Sequence, residues 1–454
     1  MDIKNYKKIH FIGIGGISMS GLAEIAAFSG ISVTGSDSDK NFDSSILEKK
    51  GITVYKTHDK NNIKDDTELV VYTAAVKKDN PELIEAEKKQ IPAVERAEFL
   101  GVMMKDFTYP ISIAGTHGKT TTTSMLAEIF MEAGLDPTIS VGGKLDSIHG
   151  NIRIGDNKYF IVESCEYCDS FLKFFPHSAI ILNIEKDHTD YFKSMEQLYG
   201  SFKKFLSLIP KNGFAVINKD IPDFQKLTQD LKCPLITFGH DSNADWRASD
   251  ILYDKNAHPS YTVLYRGKNI GKVVLNVYGE HNVYNSLSAF ALSYNYGIDV
   301  KHIIKGLENF KGTHRRFEHK GFYNGAEIID DYAHHPTEIR TTLSSAKKQD
   351  INRLICVFQP HTYSRTKSLI NEFANSFDDA DIVILTDIYA AREKDTGEIH
   401  SKDLYKLLEE KGKKVFYFEN FSETEKFLKN TLNPHDMLIT IGAGNVYLVG
   451  ESLI

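Results

Sequence analysis

Residues 111–123 read Ile-Ser-Ile-Ala-Gly115-Thr116-His117-Gly118-Lys119-Thr120-Thr121-Thr122-Thr123. A β-branched run leads into a glycine turn, then Lys-Thr, then a helix-forming stretch. These are the parts of a phosphate cradle. Glycines let backbone N–H groups close around phosphate oxygens, and a helix N-terminus adds positive potential. The lysine neutralises β/γ charge, and the hydroxyl after it can hold Mg²⁺. The full spacing asks for a glycine at position 113, where this chain has Ile113, so the form is a shortened Gly-x-x-Gly-Lys-Thr. A turn that merely caps a helix is the competing account. It leaves Lys119, Thr120 and the preceding strand unexplained.

Metal-compatible groups follow. Glu163 ends a strand-like run, and His188 lies just beyond another, in Asn183-Ile-Glu-Lys-Asp187-His188. In a parallel sheet both fall on the carboxyl edge that carries Lys119 and Thr120. A carboxylate is a normal Mg²⁺ ligand and a histidine a less usual one. Cys165 and Cys168 lack the further ligands that zinc needs. They read as two small buried or semi-buried thiols. Asn282 and Asn285 are three apart at a helix start. They can share a face and meet a nucleobase, or Asn282 can simply cap the helix.

Further on, Arg315 and Arg316 are adjacent, and Asp330-Asp331-Tyr332-Ala333-His334-His335-Pro336 bunches acids and imidazoles at a strand's end. Pro336 fits the first turn of the helix that follows. His361 occupies the corresponding end of the next strand. Near the N-terminus, Gly13-Ile14-Gly15-Gly16-Ile17-Ser18 resembles a dinucleotide loop, but its sixth position is Ser18. Asp37 sits where a ribose-binding acid would lie. This loop alone does not separate NAD from another nucleotide.

Positioning such groups takes strands that alternate with helices. Apolar runs at residues 9–14, 69–72, 111–114, 160–163, 179–183, 354–358, 381–386 and 437–441 do so with amphipathic stretches, which argues for parallel sheets with crossover helices. Residues 237–277 read instead as an antiparallel flank. The chain has 454 residues, enough for two to four domains. Seams near 106 and 312 divide it into 1–105, 106–311 and 312–454. Hydrophobic residues make up 41% and charged ones 25%, which excludes dominant disorder. A net charge of −7 argues against a broad nucleic-acid or anionic-membrane binder. No apolar run approaches the roughly 20 residues that span a bilayer. Met1-Asp2-Ile3-Lys4-Asn5 has no signal-peptide core, and four cysteines suit a reducing cytoplasm. A soluble, cytoplasmic protein is expected.

These motifs, in this order and over essentially the whole chain, resemble the Mur ligase superfamily. The specific segments are residues 114–123 and Asp330-Asp331-Tyr332-Ala333-His334-His335-Pro336-Thr337-Glu338. Residues 10–18, 183–188 and 279–285 add to them. The resemblance implies three α/β domains: a Rossmann-like one for a UDP-sugar, a central P-loop ATPase-like one, and a Rossmann-like one for an amino acid. It implies ATP-dependent joining of L-alanine to the lactyl carboxylate of UDP-N-acetylmuramate, with Mg²⁺. It makes other peptidoglycan-synthesis enzymes plausible associates. By the same resemblance, Gly115, Thr116, His117, Gly118, Lys119, Thr120, Thr121, Asn282, Asn285, Arg315, Arg316 and Asp331 contact ATP. Thr120, Glu163 and His188 hold metal. Lys119, His188, Arg316 and Asp331 carry catalysis. Gly15, Gly16, Ile17, Ser18, Asp37 and Thr73 take the UDP-sugar. Tyr332, His335, His361 and Arg365 line the amino-acid pocket. A ligase that joins an intact tripeptide to the same sugar nucleotide shares this machinery. A nicotinamide oxidoreductase and a nucleotide-driven switch are rivals from other classes.

Overall fold

Each of three sheets is built from one stretch of chain. The computed structural model describes residues 3–39, 42–255, 257–391 and 393–454. Met1 and Asp2, read above as part of a start without a signal peptide, lie outside the described residues.

The first sheet is wholly parallel. Its order is Thr53–Tyr55, Ser32–Ser36, Lys8–Ile12, Leu69–Tyr72, Ala93–Glu95. Right-handed crossovers from a central first strand generate this order, and they leave the glycine loop after Lys8–Ile12 at the carboxyl edge.

The second sheet has ten strands. Its parallel centre runs Leu235–Phe238, Phe214–Asn218, Ser178–Ile181, Tyr109–Ala114, Tyr159–Glu163 and Thr138–Leu145. The antiparallel flank expected over 237–277 is the meander Trp246–Tyr253, Pro259–Tyr265, Lys268–Val274. A second antiparallel edge, Thr138–Leu145 with Gly150–Arg153, was not expected. The core lies between this sheet and its helices. Helices Lys119–Glu132 and Val300–Asn309 cross so closely that a Cβ on Gly306 would fall 2.5 Å from Ile129 Cα. Trp246, Tyr261 and Phe290 are fully buried under the flank. Burial of this kind is worth about 1.5–3 kcal/mol per large apolar side chain.

The third sheet runs Glu318–Tyr323, Ala326–Asp331, Met437–Ile441, Leu354–Phe358, Ile382–Leu385, Val415–Tyr417. Only its first pair is antiparallel. That hairpin turns on Asn324 (φ +47°) and Gly325 (φ +75°), the left-handed pair that a tight two-residue turn requires. Leu354–Phe358 is buried throughout, as a strand covered on both faces must be. Among the described residues no helix is long and apolar enough to cross a membrane.

Candidate active site

The strand Tyr109–Ala114 delivers the chain to Gly115 (φ +141°), and Gly118 (φ +82°) turns it into the helix Lys119–Glu132. Only glycine fits at 118. Its φ is left-handed, and a Cβ there would lie 2.6 Å from Asn285 Oδ1. Asn183 pins the loop from the neighbouring strand end. Its Oδ1 accepts His117 N–H at 2.8 Å and its Nδ2 donates to His117 C=O at 3.1 Å. Lys119 Nζ donates to the carbonyls of Gly115 and Thr116 and to Glu166 Oε2 at 3.1 Å. Burial opposes the lysine's charge, but the Glu166 carboxylate outweighs it and holds the ammonium above its ordinary range. Thr120 Oγ1 donates to Glu163 Oε2 at 2.9 Å, and Gly142 N–H reaches the same oxygen at 2.8 Å. His188 has φ +50°, its ring packs on Tyr167 at 4.7 Å, and its Nε2 is 3.8 Å from Glu166 Oε1.

A cavity of ≈ 230 Å³ opens between this loop and the third sheet's domain, lined by His117, Gly118, Thr121, Asn282, Asn285, Arg316, Phe317 and Asp331 among others. The helix Glu280–Asn295 has Gly279 as its N-cap, so Asn282 is not the cap. Asn282 Nδ2 donates to Tyr278 C=O at 2.7 Å, and its Oδ1 accepts from Asn285 Nδ2 at 2.9 Å. Tyr278 and Phe317 pack at 4.7 Å as one wall. The two adjacent arginines part company. Arg316 enters the cavity, with Nη2 3.5 Å from Thr120 Oγ1. Arg315 turns into its own sheet, donating to Asp330 Oδ2 at 2.9 Å and Gly442 C=O at 2.7 Å. It does not line the cavity. Asp331 accepts Phe317 N–H at 2.8 Å and Ala333 N–H at 2.7 Å. Burial pushes its carboxyl up to about 6 against the pull of Arg316.

A second cavity, ≈ 190 Å³, adjoins His188 and is lined by Tyr332, His334, His361 and Arg365 among others. Arg365 Nε donates to Asp187 Oδ1 at 3.0 Å, and its Nη1 lies 3.1 Å from His361 Nδ1. His335, expected here, lies elsewhere. It is the N-cap of helix Pro336–Lys347, in a capping box with Glu338, and its Nε2 faces Lys186 C=O at 3.0 Å. Its neighbour Pro336 fixes the first helical turn, so the preceding side chain is drawn to the cap.

The six residues expected to take a UDP-sugar form a separate cluster at the edge of the first sheet. Asp37 Oδ2 accepts Gly15 N–H at 2.8 Å, and Gly16 is the N-cap of helix Ile17–Phe28. Ser18 Oγ accepts from Arg96 at 3.0 Å, and Ile17 has an exposed side chain. Thr73 closes over the loop: a Cβ on Gly13 would lie 2.8 Å from its methyl.

The family model described as "Mur ligase middle domain" matches residues 113–293, "Mur ligase family, catalytic domain" 8–108, and "Mur ligase, glutamate ligase domain" 315–444. The UDP-N-acetylmuramate–L-alanine ligase of Acetivibrio thermocellus is 50% identical over 455 residues, covering 100% of this chain and 97% of that protein. The chain belongs to the Mur ligase family. Among solved structures, the UDP-N-acetylmuramate–alanine ligase of Thermotoga maritima superposes with a TM-score of 0.83 at 30% identity, covering 98% of each chain. A murein peptide ligase from Psychrobacter arcticus gives 0.74 at 26%, again covering 98% of each. The three α/β domains expected from sequence are those of a Mur ligase.

Glu166, Glu185 and Glu338 in this Mur ligase site were missed by sequence reasoning. Glu166 holds Lys119, and its Oε1 is buried with no hydrogen-bond partner among the described residues. With Thr120 and Glu163 it supplies hard oxygen donors, a set that suits Mg²⁺. Its signal was a carboxylate three residues after Glu163. His117 sits between two carboxylates, with Nδ1 3.0 Å from Glu338 Oε1 and Nε2 3.6 Å from Glu185 Oε2. Burial disfavours its charge, yet Glu338 and Glu185 raise it to about 9, and Glu185 falls to about 2. His117, Glu185 and His335 offer atoms within 4.8 Å of one another. Glu185 already accepts from Thr337 Oγ1 at 2.7 Å, and His335 is committed to its cap. Protonated His117 forms ion pairs with Glu338 and Glu185. Cys168 is exposed, contrary to expectation; it and Asp169 sit in a left-handed kink (φ +54° and +55°) in which Asp169 turns inward to accept from Tyr191 and Ser201.

Proposed function

We propose that this chain is an ATP-dependent ligase that joins L-alanine to the lactyl carboxylate of UDP-N-acetylmuramate, with ADP and phosphate as co-products. The observation that carries the reading is the meeting of two elements far apart in sequence. Arg316 of the third domain lines the same cavity as Gly118 and Thr121 of the glycine loop, with its Nη2 3.5 Å from Thr120 Oγ1, and the cavity of His361 and Arg365 adjoins His188.

ATP phosphorylates the carboxylate to an acyl phosphate, the amino group of alanine attacks, and phosphate leaves. No protein nucleophile is required. Lys119 leaves Glu166 for the γ-phosphate, and Arg316 approaches from the opposite side as charge develops. Asn282 and Asn285 meet the adenine, and Asp331 the nucleotide from the third domain. Thr120, Glu163 and His188 would hold Mg²⁺, which would supply charge neutralisation on the transferred phosphoryl group. An acyl phosphate hydrolyses in water, so the third domain must cover it. Arg365 pairs with the carboxylate of alanine, and Tyr332 and His361 border it. L-Alanine is favoured over a tripeptide because relatives of 50% and 48% identity over the whole chain are named UDP-N-acetylmuramate–L-alanine ligases. The first domain takes the UDP-sugar at Gly15, Gly16, Ile17, Ser18, Asp37 and Thr73. The enzyme works in the cytoplasm, where this nucleotide sugar and ATP are found.

Phosphate release from MgATP tests the reading, with UDP-N-acetylmuramate and each acceptor added in turn. Release that needs both the sugar nucleotide and L-alanine, with a new amide by mass, is expected. Release driven by the tripeptide instead would move the chain to the tripeptide-joining class. Release without any acceptor would leave ATP hydrolysis alone.

A further inference from the structure

We propose that His334 is the general base of the ligation, taking a proton from the attacking amine. This rests on the reading of the chain as an amide ligase. It supplies the one step that Lys119, Arg316 and the metal donors leave unserved.

An amino acid arrives as an ammonium ion with no lone pair. A group in the amino-acid cavity must accept a proton before and during attack. The titratable groups that line the cavity are His188, Asp190, Tyr332, His334, His361, Arg365 and Glu393; at neutral pH the Tyr332 phenol and the Arg365 guanidinium are protonated and cannot serve as the base. Asp190 already accepts the Tyr167 hydroxyl at 2.6 Å. Glu393 accepts the Ser364 N–H and hydroxyl. His361 Nδ1 lies 3.1 Å from Arg365 Nη1, which can only donate, so the proton of His361 is on Nε2. His188 faces Glu166 and the metal donors.

His334 is set the other way round. Its Nδ1 lies 3.0 Å from Tyr332 C=O and 3.5 Å from Glu338 Oε2, two groups that only accept. The proton is therefore on Nδ1, and the lone pair is on Nε2. Among the described residues Nε2 has no hydrogen-bond partner, and the side chain lines the cavity. The ring is held edge-on to Tyr332 at 5.4 Å and to His361 at 5.9 Å. The backbone is fixed too: His334 N–H donates to Glu338 Oε2 at 3.0 Å at the helix start. Burial keeps the free imidazole neutral. Glu338 and Asp187 favour the imidazolium, and Arg365 opposes it.

The step balances. The ammonium first gives one proton to His334 Nε2, which passes it to solvent, and the freed amine lone pair then forms the C–N bond to the acyl carbon, so that nitrogen becomes cationic and acidic. His334 Nε2 takes one of its protons. The C–O bond to phosphate breaks, the electron pair leaves on phosphate, and the imidazolium returns its proton to phosphate or solvent.

The test compares His334→Gln and His334→Asn with the wild type, using two acceptors. L-Alanine is an ammonium at neutral pH, whereas hydroxylamine is mostly neutral and needs less help. With L-alanine, kcat is expected to fall by about 10²-fold or more, while its KM and MgATP affinity stay near wild type. Hydroxamate formation from hydroxylamine should persist, and added imidazole should restore part of the rate to His334→Ala. Unchanged kcat with L-alanine would overturn the assignment. So would an equal loss with both acceptors, or a change confined to KM. If the wild type makes neither amide nor hydroxamate, the ligase reading itself fails.

Discussion

The guanidinium of Arg316 lies 3.5 Å from the Thr120 hydroxyl, although 196 positions separate them. Its neighbour Arg315 instead pairs with the buried Asp330. The two should therefore fail differently. Arg316→Ala should lower kcat about 10²–10³-fold with little loss of stability, because under the proposed mechanism it removes a charge that acts on the transferred phosphoryl group. Arg315→Ala leaves a buried carboxylate unpaired and should cost about 3 kcal/mol of stability. Urea unfolding beside kcat separates them. Equal behaviour of the two variants would contradict the geometry.

His117 joins the phosphate loop to Glu338 of the third domain. Its value rises from 6.5 to about 9, so its contribution is complete below about pH 6.5 and is lost as pH rises through 9. Glu185 is lowered from 4.5 to about 2, so its share is present above about pH 4.5 and fades as pH falls through 2. The thermal stability lost in His117→Asn should thus be greatest between about pH 4.5 and 6.5 and should shrink towards pH 9. Melting curves across that range check it. A loss independent of pH would show that the ion pair is not its cause.

Glu163 receives the Thr120 hydroxyl and the Gly142 amide on one oxygen. EDTA should abolish ATP turnover, and Glu163→Gln should raise the Mg²⁺ requirement by about tenfold or more. Second-shell losses alone reach that size. Mn²⁺ titration in the presence of a non-hydrolysable ATP analogue measures it without turnover. Undiminished Mn²⁺ binding would remove Glu163 from the metal site.

Cys168 is exposed, Cys233 and Cys356 are buried, and burial pushes the Cys165 thiol up to about 11. A thiol reagent should modify the native protein quickly at Cys168 alone, as peptide mass mapping would show. Rapid labelling of Cys165 would mean that the segment after Glu163 opens in solution.

Much of this fold could be read as buried runs followed by helices, because parallel strands covered on both faces are uniformly apolar. The phosphate loop was readable for a different reason: Gly118 and Lys119 answer local demands. The hairpin at Asn324-Gly325 carried a clear turn signal that the strand–helix reading passed over. The split between Arg315 and Arg316 was not readable. Both Arg315 (φ +60°) and Phe317 (φ +51°) are left-handed, and that backbone decides which guanidinium enters the cavity beside Gly118. The roles of Glu166, Glu185 and Glu338 were hidden because each is defined by a partner from another segment, 221 positions away for Glu338 and His117. His335 looked like a pocket residue until its place as a helix cap was seen.

The most direct measurement follows oxygen. UDP-N-acetylmuramate labelled with ¹⁸O in the lactyl carboxylate is turned over with MgATP and L-alanine, and the released phosphate is weighed. An acyl phosphate requires one carboxylate oxygen to leave on phosphate, so singly labelled phosphate is expected in step with amide formation. Amide formed with unlabelled phosphate would contradict activation of the carboxylate by ATP.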